Sequence, residues 1–156
     1  MRPQSNQKQE GSFLIKNLKP VLNEGEYVFC LVQDMSPYKD IPIIGSFREE
    51  EGITLILDKE SADRAGLPYY YIGAWITLQV NSSLASIGLT AAVSEVLAKN
   101  RITCNMVAGY HHDHVFVEHT KAETALQLLR FNPQSQIAKI RMGNELPILR
   151  AMPAWS

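Results

Sequence analysis

This sequence has no basic excess: 15 Lys+Arg against 16 Asp+Glu leave a formal net charge of -1 over 156 residues. Phosphate-binding proteins normally concentrate positive charge on one face, so no nucleic-acid partner is expected. Cysteine is almost absent. Cys30 and Cys104 are the only two, each inside an apolar strand-like run ("YVFCLV" and "ITCNMV"), where a thiol behaves as a small hydrophobe. Both are expected to be buried and reduced. No apolar run is long enough to span a bilayer, and the polar start "MRPQSNQKQEGS" has no apolar signal core. A cytoplasmic protein without membrane contact is therefore expected. Glycine-rich phosphate loops are missing too, since "SIGLTA" has a single glycine. Ser82, Ser83 and Ser86 lack the G-x-S-x-G setting of a nucleophile, and capping a helix is their usual work. No catalytic residue, metal or cofactor is expected.

What is present is the material of a globular core. A hydrophobic content of 46% with 20% charged residues excludes a disordered chain. At this length roughly 70% of the unfolded surface can be buried without help from a metal or disulfide. The length suits one ordinary domain or two very small ones sharing a core.

Residues 1–12 form an expected flexible tail. Leu14, Leu18, Val21 and Leu22 then share one helical face, which predicts a short helix capped by Ser12 and limited by Pro20. "EYVFCLVQ" predicts a strand covered on both faces. "IIGSFREEEGITLIL" predicts two strands around a turn at Glu49–Gly52, and "DKESADRAG" a short helix that Asp58 caps and Gly66 ends. "YYYIGAWITLQV" is a long strand centred on 74–80. The helix after it carries the stripe Leu89, Val93, Val96 and Leu97, with serines at its start and Asn100 at its end. "ITCNMVAGY" and "HVFVEH" are strands. "HTKAETALQLLRFNP" is a helix with Thr120 and Glu123 as a capping box and Ala122, Ala125, Leu126 and Leu129 as its apolar face. Residues 133–156 are an extension, a strand or a docking segment.

Two stretches echo each other. "GSFREEEGITLILDKESADRAG" and "AGYHHDHVFVEHTKAETALQL" both run glycine, strand, charged turn, strand, short helix. "HHDH" thus takes the place of "REEE", at a hairpin tip. With a turn at His112–Asp113, His111 and His114 become cross-strand neighbours with Cβ atoms about 5 Å apart, near enough to share a metal ion. A third ligand is then needed. Cys104 is out of phase with His111, and His119 with His114, so neither supplies it in regular strand geometry.

From Ala74 onward the order strand, helix, strand, strand, helix begins a ferredoxin-like split β-α-β unit. Here the residues themselves carry a likeness. "EGEYVFC", "SFREEEGITLILDKESADRAGL", "AWITLQVNSSLASIGLTAAVSEVLA" and "ITCNMVAGYHHDHVFV" resemble a family of small stand-alone ACT-domain proteins with two ACT-like halves. The C-terminal half is similar to the ACT domains of aspartokinases.

The resemblance implies an α+β, ferredoxin-like (ACT) fold of βαββαβ units, with antiparallel sheets and helices on one face. It also implies a division into an N-terminal half, 13–68, and a C-terminal ACT domain, 69–132. Such domains bind an amino acid or similar effector where the loop after the first strand meets the next strand, commonly between two ACT units. Carried over, the ligand residues are Asn81, Ser82, Ser83, Leu84, Ile87, Gly88, Leu89 and Thr90, with Gly88 letting backbone approach the ligand. The facing strand contributes Asn105, Met106 and Val107, then Tyr110 and His111. Physical chemistry agrees, because free amides and the positive end of a helix suit an α-carboxylate. The function implied is a non-catalytic, amino-acid-binding regulatory or sensor protein, a homodimer or higher homo-oligomer. The alternative is a structural or interaction module without ligand, using "LPILRAMPAW". A third reading is a metal-dependent enzyme built on the His111–His114 cluster.

Overall fold

In the computed structural model the described residues are 18–79 and 87–131. The expected tail, residues 12–17 of the predicted first helix, residues 80–86 and residues 132–156 lie outside them. The strands are β1 (Lys19–Leu22), β2 (Tyr27–Val32), β3 (Ile43–Arg48), β4 (Ile53–Asp58), β5 (Ile72–Gln79), β6 (Asn105–Ala108) and β7 (Asp113–Glu118). The helices are α1 (Lys59–Arg64), α2 (Leu89–Lys99) and α3 (Ala122–Arg130).

All seven strands form one sheet in the order β3-β4-β2-β5-β7-β6, with β1 also paired to β5 and every pairing antiparallel. The order is a mirror about the β2–β5 junction, where Tyr27 lies opposite Gly73 and Val28 opposite Ile72. The echo seen in the sequence is thus the repeat β3-β4-α1 against β6-β7-α3. The halves differ between their first two strands: α2 stands there in the second half, and only a 3-10 turn, Ser36–Tyr38, in the first. β1 completes the second half, giving it the ferredoxin-like order β1-β5-β7-β6.

A strand at Lys19–Leu22 replaces the end of the predicted helix. Pro20 decides the matter, because it has no amide to give a helix interior, yet fits an edge strand whose N–H would face away. Leu18 and Pro20 are buried and Leu22 half-buried, while Lys19 and Val21 are exposed. That is the period of a strand.

All three described helices cover the same face of the sheet. Ala74, Ile76 and Leu78 of β5 and Val115 and Val117 of β7 meet Leu89, Val93 and Leu97 of α2 and Ala125, Leu126 and Leu129 of α3. Val28, Cys30, Leu55 and Leu57 continue this layer beneath Ala62 of α1. Each fully buried leucine or isoleucine here contributes about 1.5–3 kcal/mol. β2 is closed on this face but only partly on the other, where Phe29 is half-buried and Leu31 exposed, so the expected cover on both faces is incomplete.

Local signals explain most ends. The Asp58 side chain accepts a hydrogen bond from the Ser61 amide at 2.9 Å and starts α1. The Asn100 side chain donates to the Val96 carbonyl at 2.9 Å and closes α2. Two expected caps are absent. The N-cap of α2 is Gly88 rather than a serine. The Thr120–Glu123 box does not form, because His119–Lys121 make a 3-10 turn in which the Thr120 hydroxyl donates to Glu118 at 2.9 Å. Glu123 instead accepts from Gln127 one turn on, at 3.1 Å.

The other face of the sheet carries no helix among the described residues. Tyr27, Ile56 and Phe116 are buried there, with Phe29, Trp75 and Val107 against them.

Candidate functional site

The histidine run is divided by the fold. The last pairs of the β6–β7 hairpin are Val107 with His114 and Ala108 with Asp113, and the Gly109 amide donates to the His112 carbonyl at 3.0 Å. The turn is therefore Gly109–His112, and the expected pairing of His111 with His114 is not made. His112–Asp113 lacks the glycine or asparagine of a two-residue type I′ turn, so the loop widens. His111 and His112 are exposed on it, their rings 6.4 Å apart. Among the described residues no three His, Cys, Asp or Glu side chains come together as metal ligands. Cys30 and Cys104 are free, and burial pushes both thiols above their ordinary value.

His114 has turned inward, which strand parity alone did not reveal. The Trp75 indole Nε1–H donates to its Nδ1 at 3.0 Å, and Thr77 Oγ1 lies 3.3 Å from the same nitrogen. Thr77 in turn accepts from Asn23 Nδ2 at 2.9 Å. An indole can only donate, so Nδ1 must keep its lone pair and the imidazole is neutral. Burial lowers its pKa first, His112 adds to the effect, and Asp113 opposes it.

The unfolded chain then takes up this proton before the folded one as pH falls. Stability is expected to drop as pH is lowered past about 6.5, the ordinary histidine value, until folded His114 itself titrates. Urea denaturation between pH 8 and pH 5 measures the slope. His114→Gln, which still offers an acceptor to Trp75, should flatten it. An unchanged slope in that variant would place the proton uptake elsewhere.

The ligand residues inferred from family likeness fall into three groups. Asn81, Ser82, Ser83 and Leu84 lie outside the described residues. Ile87, Gly88, Leu89 and Thr90 start α2. Gly88 adopts φ +101°, a left-handed conformation that side chains disfavour, and the helix start has no side-chain cap hydrogen bond and no acid in its first turn. Ile87 is exposed, whereas Leu89 is a core residue. Asn105 to His111 run along β6 and into its turn. Met106 packs with the helix-side core. Asn105 and Val107, opposite Phe116 and His114, face the helix-free side. Tyr110 and His111 are exposed, their rings 4.8 Å apart. The α2 start and the Asn105 side chain thus lie on different faces of one sheet.

On the helix-free side, Asn105 and Val107 border a groove of about 1080 Å³ shared with residues of β2, β3, β4 and the 68–71 segment. No sequence motif marks it, since its lining comes from five separate stretches. The one available signal was the strand alternation of "YVFCLV" and "GSF", which points Phe29, Leu31 and Phe47 to the face that no predicted helix covers. No described helix is long and apolar enough to cross a membrane.

Residues 12–73 match one ACT domain model and residues 72–130 another. A Vibrio cholerae protein of unknown function, described as a possible transport protein, is 43% identical with a TM-score of 0.71. The match covers 78% of this chain and 94% of that one. An Agrobacterium tumefaciens protein is similar at 16% identity and a TM-score of 0.54, covering 72% of this chain and 87% of its own. The ligand-free regulatory subunit of aspartate kinase from Thermus thermophilus is 11% identical, with a TM-score of 0.50 and coverage of 73% and 97%. The last two likenesses concern the fold alone. No curated protein matches.

Proposed function

Because this chain belongs to the ACT-domain family and carries two such domains in tandem, we propose that it is a non-catalytic regulatory protein that binds an amino acid at the start of α2. The observation that carries this reading is the Gly88 cap. Its left-handed backbone opens a helix whose first-turn amides have neither a side-chain cap nor an acidic neighbour among the described residues. Such an end presents free N–H groups and partial positive charge, and an α-carboxylate supplies both the acceptors and the charge. Ile87, 45% exposed, offers apolar contact beside it.

Asn105 and Val107 turn to the opposite face, so a ligand held by both groups sits between two copies of the chain. This favours a homo-oligomer whose assembly responds to the effector. The free cysteines fit a reducing, cytoplasmic setting.

A thermal-shift screen of the full chain against the amino acids tests the reading. A true ligand at a hundredfold excess over Kd stabilises by about 2.7 kcal/mol. Gly88→Val should abolish that gain while leaving the circular dichroism of the unliganded protein intact. A flat response across the panel would refute amino-acid binding.

A further inference from the structure

We propose that the groove on the helix-free face is a second ligand site, built for an organic cation with an apolar or aromatic body. It uses no residue of the α2 start, and although Asn105 and Val107 border it, Gly88→Val separates it from the reading above.

Size comes first. At about 1080 Å³ the groove is at the upper end of small-molecule sites and exceeds the needs of a single amino acid. Its floor and walls are largely apolar. Phe29 and Ile56 lie at the bottom, while Leu31, Phe47 and Tyr70 are 49%, 73% and 101% exposed at its borders. Isolated exposed apolar side chains are ordinary, but several around one concavity mark a binding surface.

Charge selects the ligand class. Among the described residues Glu49 and Glu51, from the β3–β4 turn, are the only charged residues in the lining, with no lysine, arginine or histidine beside them there. The Thr54 hydroxyl donates to Glu49 and holds that carboxylate at the wall. An anion would meet like charge here, and a neutral ligand would gain nothing from either carboxylate. A cation satisfies them and is also attracted to the aromatic faces beside them.

At the opposite wall the Tyr71 hydroxyl is shut off from water with Thr103 and Asn105 beside it, so Tyr71 offers the groove its ring and not its hydroxyl.

Benzylguanidinium, titrated into the full chain, is the probe, with benzylurea and phenylacetate as its neutral and negative counterparts. Amide NMR shifts should saturate at Leu31, Phe47, Thr54 and Tyr71, with benzylurea binding about tenfold more weakly and phenylacetate not at all. The double variant Glu49→Gln/Glu51→Gln, with both changes at exposed positions, should lose about tenfold in affinity. Gly88→Val should lose nothing. Three results would overturn the assignment: no saturable shift up to about 10 mM probe, equal binding of benzylurea, or shifts centred on Gly88. Saturation by an arginine-phenylalanine peptide alone would assign the groove to a protein partner and equally refute the small cation.

Discussion

Phe116→Ala is expected to lower stability by about 3–5 kcal/mol, the usual cost of deleting a buried aromatic side chain. Phe116 is 1% exposed although no described helix covers its face. Other rings seal it. Phe29 meets it edge-on at 5.2 Å, Tyr27 at 6.3 Å, and Trp75 stacks on it at 6.1 Å with 17° between planes. These residues come from β2, β5 and β7, so one side chain joins both halves. Typical domains hold only about 5–15 kcal/mol in total, so the variant would sit near the unfolding threshold. Chemical denaturation with an unchanged m-value measures the loss. Phe116→Leu, which keeps most of the volume, should cost much less, about 1 kcal/mol. A loss below about 1 kcal/mol for the alanine variant would mean that the ring cluster is not closely packed.

Gly52→Val should be the second costly change, at about 2–4 kcal/mol. Gly52 closes the β3–β4 turn, where the Glu49 amide donates to its carbonyl at 2.8 Å. Its φ is +150°, outside the range of a β-branched residue. A Cβ there would also stand 2.7 Å from the Val32 carbonyl oxygen, which is backbone and cannot swing aside. Strain and collision therefore add. Equilibrium unfolding in urea gives the cost, and Gly52→Ala should retain part of it. Wild-type stability for the valine variant would contradict the turn geometry. Because Glu49 and Glu51 flank this turn, a shift here would also disturb the acidic wall of the groove.

Much of the fold was legible because the decisive signals were local. The continuous apolar run "YVFCLV", the turn at Glu49–Gly52, the Asp58 cap and the stripe Leu89, Val93 and Leu97 each need only a few consecutive residues. Misreadings arose where a distant partner decides. Lys19–Leu22 is a strand because β5 offers it an edge, and β5 begins fifty residues later in the chain. His114 belongs to Trp75 and Thr77 rather than to its sequence neighbours, so the cluster looked like one chemical unit when it is two. The Thr120–Glu123 pattern met the rule for a capping box but lost to a 3-10 turn. The α2 start was visible only through family likeness. No motif marked the groove, because its lining is spread over five stretches, and only the strand parity of Phe29, Leu31 and Phe47 pointed to its face.

Strand β1 bears on how the molecule is made. Synthesis runs from the N-terminus, and β1 is among the first described residues to leave the ribosome, yet its partners are Ile76–Gln79. The β2–β4 hairpin strands and α1 can close on one another beforehand, since their contacts lie within one short stretch. β1 must wait, unpaired, while the whole first half is translated. Long-range pairings of this kind are slow to form and expose strand edges meanwhile. Pro20 serves as a guard during that interval, because a strand lacking one amide is a poor template for pairing with a neighbouring nascent chain.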